Sequence, residues 1–325
     1  MSGGWLLAAL KVAISASLLW LILRRFSFQD LKEQVLQTQT GALLLPLGII
    51  LASNLLGAVQ WGWLVRTSGL VIGGGRLLGL YFTGLFFNNF LIGNLGGDVY
   101  KIYSLGRSEG ALGRVAGATV VDRLVGVSAL CTLALVAAVV ALVRGRIPTP
   151  LTLLVLVFSV ATMAFAGVVL HAHFGEKAER WLQGLPLGGL SARLGRLLGY
   201  LREYRERTAV LNGAFMLSLL IQSSRVLAHY FVGVAMGWSL VAADLGKFFL
   251  VIPILGLVIA LPISIGGWGV REWAGVALFV PLGHDGEEAV TLLALTASLA
   301  FLISLLGGMA FFVRLLPRNA STPVS

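Results

Sequence analysis

Apolar residues run almost unbroken over about 5–23, 41–65, 115–143, 151–171, 208–236 and 286–313. Each run is long enough to cross roughly 30 Å of hydrocarbon as an α-helix. Two further apolar stretches, about 77–107 and 245–281, are each interrupted by a glycine pair, Gly96-Gly97 and Gly266-Gly267, and flanked by charge. Their apolar pieces are half-length, which predicts broken, re-entrant hairpins rather than straight spans. The pattern is that of an all-α polytopic membrane protein, with six full spans and two hairpins in a single integral domain over 1–325.

Composition agrees. Fifty-eight per cent of the 325 residues are hydrophobic, 12% are charged and the mean hydropathy is +0.92, whereas a soluble domain has about a quarter of its residues charged. The 24 basic and 14 acidic residues give a net charge of +10. The bases sit in short loops between apolar runs, where they suit cytoplasmic loops and anionic headgroups better than nucleic acid. With the N-terminus inside and both stretches read as hairpins, about twice as many bases fall inside as outside. Both termini are therefore expected on the cytoplasmic side of the inner membrane. The run at 5–23 carries Lys11 within it and Arg24-Arg25 after it, so it reads as a retained span rather than a signal peptide. Between the spans, 174–207 reads as a basic amphipathic linker. Leu190, Leu194, Leu197, Leu198, Leu201 and Tyr204 recur there at helical spacing among arginines, which predicts a helix on the cytoplasmic membrane face.

The two hairpins align at an offset of 170 residues. Leu91-Ile-Gly-Asn-Leu-Gly-Gly-Asp-Val-Tyr-Lys101 sets over Leu261-Pro-Ile-Ser-Ile-Gly-Gly-Trp-Gly-Val-Arg271, with Asn94 on Ser264 and Lys101 on Arg271. The same offset carries 41–65 onto 211–235 and 115–143 onto 285–313. Each half, 41–143 and 208–313, then reads as span, hairpin, span. One hairpin enters from each side, the inverted-topology symmetry of transporters whose site lies where two broken elements meet.

Asp98, Lys101, Asp122, Arg123, Arg225, Arg271 and Glu272 fall within or beside apolar segments. Each would cost roughly 2.5–3.5 kcal/mol or more if it faced lipid at mid-membrane, so they are expected to face one another or a polar cavity. Gln222, Arg225 and His229 share one face of their span. The turn after Gly266-Gly267 is expected to leave amides free for an anion, because Trp268 follows it and Arg271 lies one turn on. At the first hairpin Asp98 would compete with phosphate. Its expected role is an N-cap or a partner for an intramembrane arginine such as Arg225. Glu272 is expected to hold Arg271 or to take part in proton coupling. His171 and His173 are badly spaced for a metal pair, no Walker pattern occurs and Cys131 is the lone cysteine. No metal, cofactor or catalytic constellation is therefore expected.

At these motifs the chain resembles the flippase-like membrane domain of the lysylphosphatidylglycerol synthases and its stand-alone relatives. The resemblance rests on Phe86-Phe-Asn-Asn-Phe-Leu-Ile-Gly-Asn-Leu-Gly-Gly-Asp-Val-Tyr-Lys101, on Val120-Val-Asp-Arg-Leu-Val-Gly126 and on Leu261-Pro-Ile-Ser-Ile-Gly-Gly-Trp-Gly-Val-Arg-Glu272. Ile92 stands where the family usually has proline, and Lys101 where it usually has arginine. The family's aminoacyltransferase domain follows the membrane part, and here the chain ends at Ser325, so the resemblance implies a lipid translocase without that enzyme. The expected headgroup-binding set is Gly266, Gly267, Arg271, Glu272, Arg225, Gln222, Asn89, Asn94, Gly96, Gly97, Asp98 and Lys101, with Asp122 and Arg123 in charge pairing. The expected partners are an anionic phospholipid or polyprenyl-phosphate lipid, with a lipid-modifying enzyme or a second copy as further partners. A secondary transporter for a small anion, or a non-transporting subunit of a lipid or glycan synthesis enzyme, are the competing readings.

Overall fold

The structure is a computed structural model that describes residues 17, 20, 28–90, 95–144, 153, 156–157, 159–164, 199–201, 203–204, 206–238, 244–260 and 267–315. Every regular element among them is helical. In chain order they are α1 (Phe28–Gln37), a 3-10 turn (Thr40–Leu43), α2 (Leu44–Thr67), α3 (Gly74–Phe90), α4 (Gly96–Ser108), α5 (Leu112–Arg144), α6 (Thr208–Ala235), α7 (Leu245–Ala260), α8 (Val270–Phe279), a 3-10 turn (Val280–Leu282) and α9 (Gly286–Leu315).

Four of these are long and apolar enough to cross a membrane: α2 with its preceding turn, α5, α6 and α9. They coincide with the four apolar runs expected at 41–65, 115–143, 208–236 and 286–313. Most of the runs at 5–23 and 151–171 and most of the linker lie outside the described residues, as do Asn94 and Gly266. The two glycine-interrupted stretches are both broken helices, α3 followed by α4 and α7 followed by α8. With 17 and 16 residues, α3 and α7 reach about 25 Å, short of the hydrocarbon thickness.

The long helices are apolar on every side and carry their polar groups inward. In α2 the side chains of Ser53, Asn54 and Gln60 are buried while Leu55 and Val59 are exposed. In α6 Ser218 and Gln222 are buried while Met216 and Leu220 are exposed. A soluble helix does the reverse. In hydrocarbon an outward leucine costs nothing, whereas an outward amide loses its hydrogen bonds.

Packing centres on α2 against α6, with α5 laid across both. The broken helices sit on the long ones: α3 against α9, α7 against α5, α4 against α5 and α8 against α9. Small residues make the closest of these approaches possible. A Cβ on Gly307 of α9 would lie 1.9 Å from the Phe82 carbonyl oxygen of α3. The Thr83 hydroxyl, fully buried, donates across the same crossing to the Gly307 carbonyl at 3.1 Å. Backbone contact of this kind, rather than a hydrophobic drive, holds helices together where the solvent is itself apolar.

Gly307→Ala is therefore expected to destabilise the detergent-solubilised protein by about 1–3 kcal/mol, since backbone meets the new methyl and neither side can rotate away. Gly48→Ala, on the same measurement of thermal unfolding, meets nothing within 4 Å and should leave the melting temperature unchanged or raise it.

Candidate functional site

The charged residues that the apolar runs isolate converge between the broken helices and the central pair. At the first hairpin α4 starts directly on the glycine pair, and a Cβ on Gly97 would lie 2.1 Å from the Gly84 carbonyl oxygen of α3. The Gly97 amide donates to Asn88 Oδ1 at 2.7 Å. Gly97 thus serves contact between the two arms of the hairpin, and its amide is already occupied. Asn89, next along α3, points instead to α9, where its Nδ2 donates to Ser304 Oγ at 2.9 Å.

Asp98 lies in the first turn of α4 and makes no N-cap bond. Its carboxylate carries two cations: Lys101 Nζ at 2.9 Å on one oxygen and Arg123 Nε at 2.5 Å on the other. The arginine it holds is Arg123 of α5, not the Arg225 expected from sequence, because α4 packs on α5. Asp98 and Lys101 are both buried, and the Lys101 ammonium sits over the rings of Trp61 and Tyr81, 5.0 and 5.1 Å from their centres. Aromatic faces and a carboxylate supply what water would otherwise give that ammonium.

Asp122 and Arg123 are neighbours in sequence and have different partners. Asp122 Oδ1 accepts from Gln60 Nε2 at 2.8 Å, and Gln60 Oε1 accepts from the Ser218 hydroxyl at 2.9 Å. This chain ties α5, α2 and α6 together through buried polar atoms. It also fixes the Gln60 amide, whose two ends face a donor and an acceptor.

On α6, Gln222, Arg225 and His229 lie along one face. Arg225 Nη1 donates to Gln222 Oε1 at 3.4 Å, and His229 Nδ1 donates to the Arg225 carbonyl at 2.8 Å. Arg225 is half-buried and has no carboxylate within ion-pair distance among the described residues. The charges of Arg225 and Arg271 both act on His229, and those of Arg225, Asp122, Arg123 and Asp98 all act on the Tyr81 hydroxyl. The two halves of the chain therefore contribute to one electrostatic region.

The second hairpin differs from the expectation of free amides. Gly267 and Gly269 both have positive φ, +81° and +80°, so the chain makes a glycine-dependent turn before α8 starts at Val270. Glu272 Oε2 accepts the Gly269 amide at 2.7 Å. The carboxylate three residues into the helix reaches back and occupies one of the turn's amide donors. Its other oxygen accepts from Arg271 Nε at 3.3 Å, and Arg271 lies over the Trp268 ring, 5.1 Å from its centre. Glu272 thus holds Arg271, as expected, and caps the helix as well.

Counting charges across the region, Asp98 and Asp122 balance Lys101 and Arg123, and Glu272 balances Arg271. Arg225 is left as the cation without a matching carboxylate among the described residues. Sequence reasoning overlooked Gln60, Trp61, Tyr81 and Ser218. Gln60 did carry a signal: an amide alone in an apolar span is costly unless satisfied.

Apolar helices of membrane-crossing length, polar groups turned inward and a shared charge cluster define a multi-pass integral membrane protein. The chain belongs to the family of the lysylphosphatidylglycerol synthase transmembrane region, whose family model matches residues 8–308. A UPF0104 membrane protein of Pyrococcus horikoshii is 22% identical to it over 331 residues, covering 92% of this chain and 95% of the relative.

Asp98→Asn would leave the buried Lys101 ammonium, and the half-exposed Arg123, without their carboxylate. It is expected to destabilise the protein by about 3–5 kcal/mol in thermal unfolding. Asp98→Asn combined with Lys101→Met should recover part of the loss. If the single substitution unfolded like the parent, Asp98 would not be the group holding Lys101 and Arg123.

Proposed function

We propose that this protein translocates a lipid: a polar headgroup bearing phosphate passes along the charge cluster between the two hairpins while its acyl or polyprenyl tails stay in the surrounding bilayer. The protein moves the lipid and makes no covalent change to it. The observation that carries this reading is Arg225, an intramembrane guanidinium with no matching carboxylate among the described residues, set within a ring of charges that otherwise cancel. A cation drawn out of water without a counter-charge is expensive, and an anionic headgroup would supply the missing charge with paired hydrogen bonds. Arg271, held by Glu272 and Trp268 beside the same His229, is the second donor.

Inverted-repeat architecture, with two opposed re-entrant hairpins and both termini on the cytoplasmic face, belongs to the same proposal. The packing supports it. Partners exchange accordingly: α3 packs on α9 as α7 packs on α5, α4 on α5 as α8 on α9, and α2 on α5 as α6 on α9. A two-fold relation of this kind places one site at the interface of the halves, open to either face by rocking one against the other.

Purified protein in vesicles is expected to accelerate transbilayer exchange of headgroup-labelled anionic lipid. Arg225→Gln should slow that exchange about 10- to 100-fold, the value of a charge-assisted hydrogen bond, with the melting temperature retained. Exchange at the protein-free rate across a panel of anionic phospholipids and polyprenyl phosphates would overturn the proposal. So would uptake of small anions without lipid exchange.

A further inference from the structure

The segments that lead into the two central helices are each seated on the other half of the protein. Residues 199–201 and 203–204 are helical, and Leu201 and Tyr204 are buried to 2% and 1% exposure. Tyr204 Oη donates to the Leu64 carbonyl at 2.7 Å, and Arg207 Nη1 donates to the Thr67 carbonyl at 2.5 Å, both at the end of α2. The Tyr200 side chain lies against Gly113 and Gly117 at the start of α5, where an added Cβ would stand 2.1 Å from its ring and 2.9 Å from its Cβ. The opposite end of the bundle repeats this arrangement. The Gln39 amide donates to the Ala235 carbonyl at the end of α6 at 2.9 Å, Thr38 is buried beside it, and α1 packs on α9.

The last carbonyls of a helix have no partner within it. Here carbonyls in the last turns of α2 and α6 are each satisfied by the lead-in segment of the other half. The correspondence extends along the chain, since α1, Phe28–Gln37, falls on 198–207 at the 170-residue offset. The symmetric unit therefore starts one helix earlier than the span–hairpin–span pattern.

Resting on the translocase reading above, we infer that 28–39 and 199–207 are a matched pair of clasps, one at each end of the bundle. The later clasp joins the end of α2 to the start of α5, and the earlier one joins the end of α6 to α9. Release of one clasp while the other holds exposes the charge cluster to one face at a time. The linker's buried residues thus act on the protein's own helices, and its docking sets which face is open.

The test uses the full chain in vesicles with Cys131→Ser as background. Single reporter cysteines are placed at Ser68, the buried residue that directly follows α2, and at Thr38 in the other clasp. Tyr204→Phe removes the bond to Leu64. Gln39→Pro removes the bond to Ala235, and Gln39 has φ −69°, a value proline adopts unstrained. An impermeant maleimide should label Ser68→Cys about fivefold faster in Tyr204→Phe, roughly what one neutral hydrogen bond is worth, and Thr38→Cys correspondingly slower. Gln39→Pro should do the opposite. Labelling that rises only at the weakened clasp, with the distant reporter unchanged, overturns the inference, as does no change at either. Lipid exchange measured on the same vesicles separates the two claims. Reciprocal labelling without exchange leaves the clasps and removes the lipid; exchange without reciprocity does the reverse.

Discussion

The carboxylate of Asp98 holds together the part of this protein that the bilayer makes hardest to build. Two cations, Lys101 and Arg123, converge on it from different helices, and both would be expelled from hydrocarbon if they stood alone. The pairing pins α4 to α5, brings the first hairpin against the central pair, and places Lys101 between Trp61 and Tyr81. Gln60 continues the same logic to Asp122 and Ser218, so three long helices are joined by polar contacts in a medium where apolar contacts confer little preference.

A self-neutralising network is a poor receptor for a charged ligand, since every group already has its partner. The asymmetry between the halves therefore matters more than the number of charges. The first half closes its account within itself. In the second, Glu272 is shared between Arg271 and the Gly269 amide, and the Arg225 guanidinium donates to the neutral Gln222 amide with no carboxylate in ion-pair distance among the described residues. Among the described residues the positive charge left without a matching carboxylate is the guanidinium of Arg225 on α6, and at the glycine turn the Gly269 amide is already bound by Glu272.

Much of the fold was legible without coordinates because the bilayer imposes a length on apolar segments and a demand for internal hydrogen bonds. Four spans and the two breaks near Gly96-Gly97 and Gly267 follow from that alone. The intramembrane charges were equally visible, because each is an exception in an apolar run. Which charge meets which was not. Asp98 was expected as an N-cap or as the partner of an intramembrane arginine such as Arg225, and the structure gives it Arg123, because α4 lies on α5. Glu272 was expected to hold Arg271 or to take part in proton coupling, and the positive φ at Gly269 turns the helix start back onto it.

Residue order thus determined the solvent of this protein, the lengths and breaks of its helices, and the set of groups that hydrocarbon would not accept unpaired. All three depend on the local identity of residues against a medium of fixed thickness. Tertiary structure decided the pairing, the cation left over and the docking of Tyr204 and Arg207 on the end of α2. These depend on how helices distant in sequence cross, and small residues such as Gly84 and Gly307 set those crossings through backbone contacts that no periodicity records.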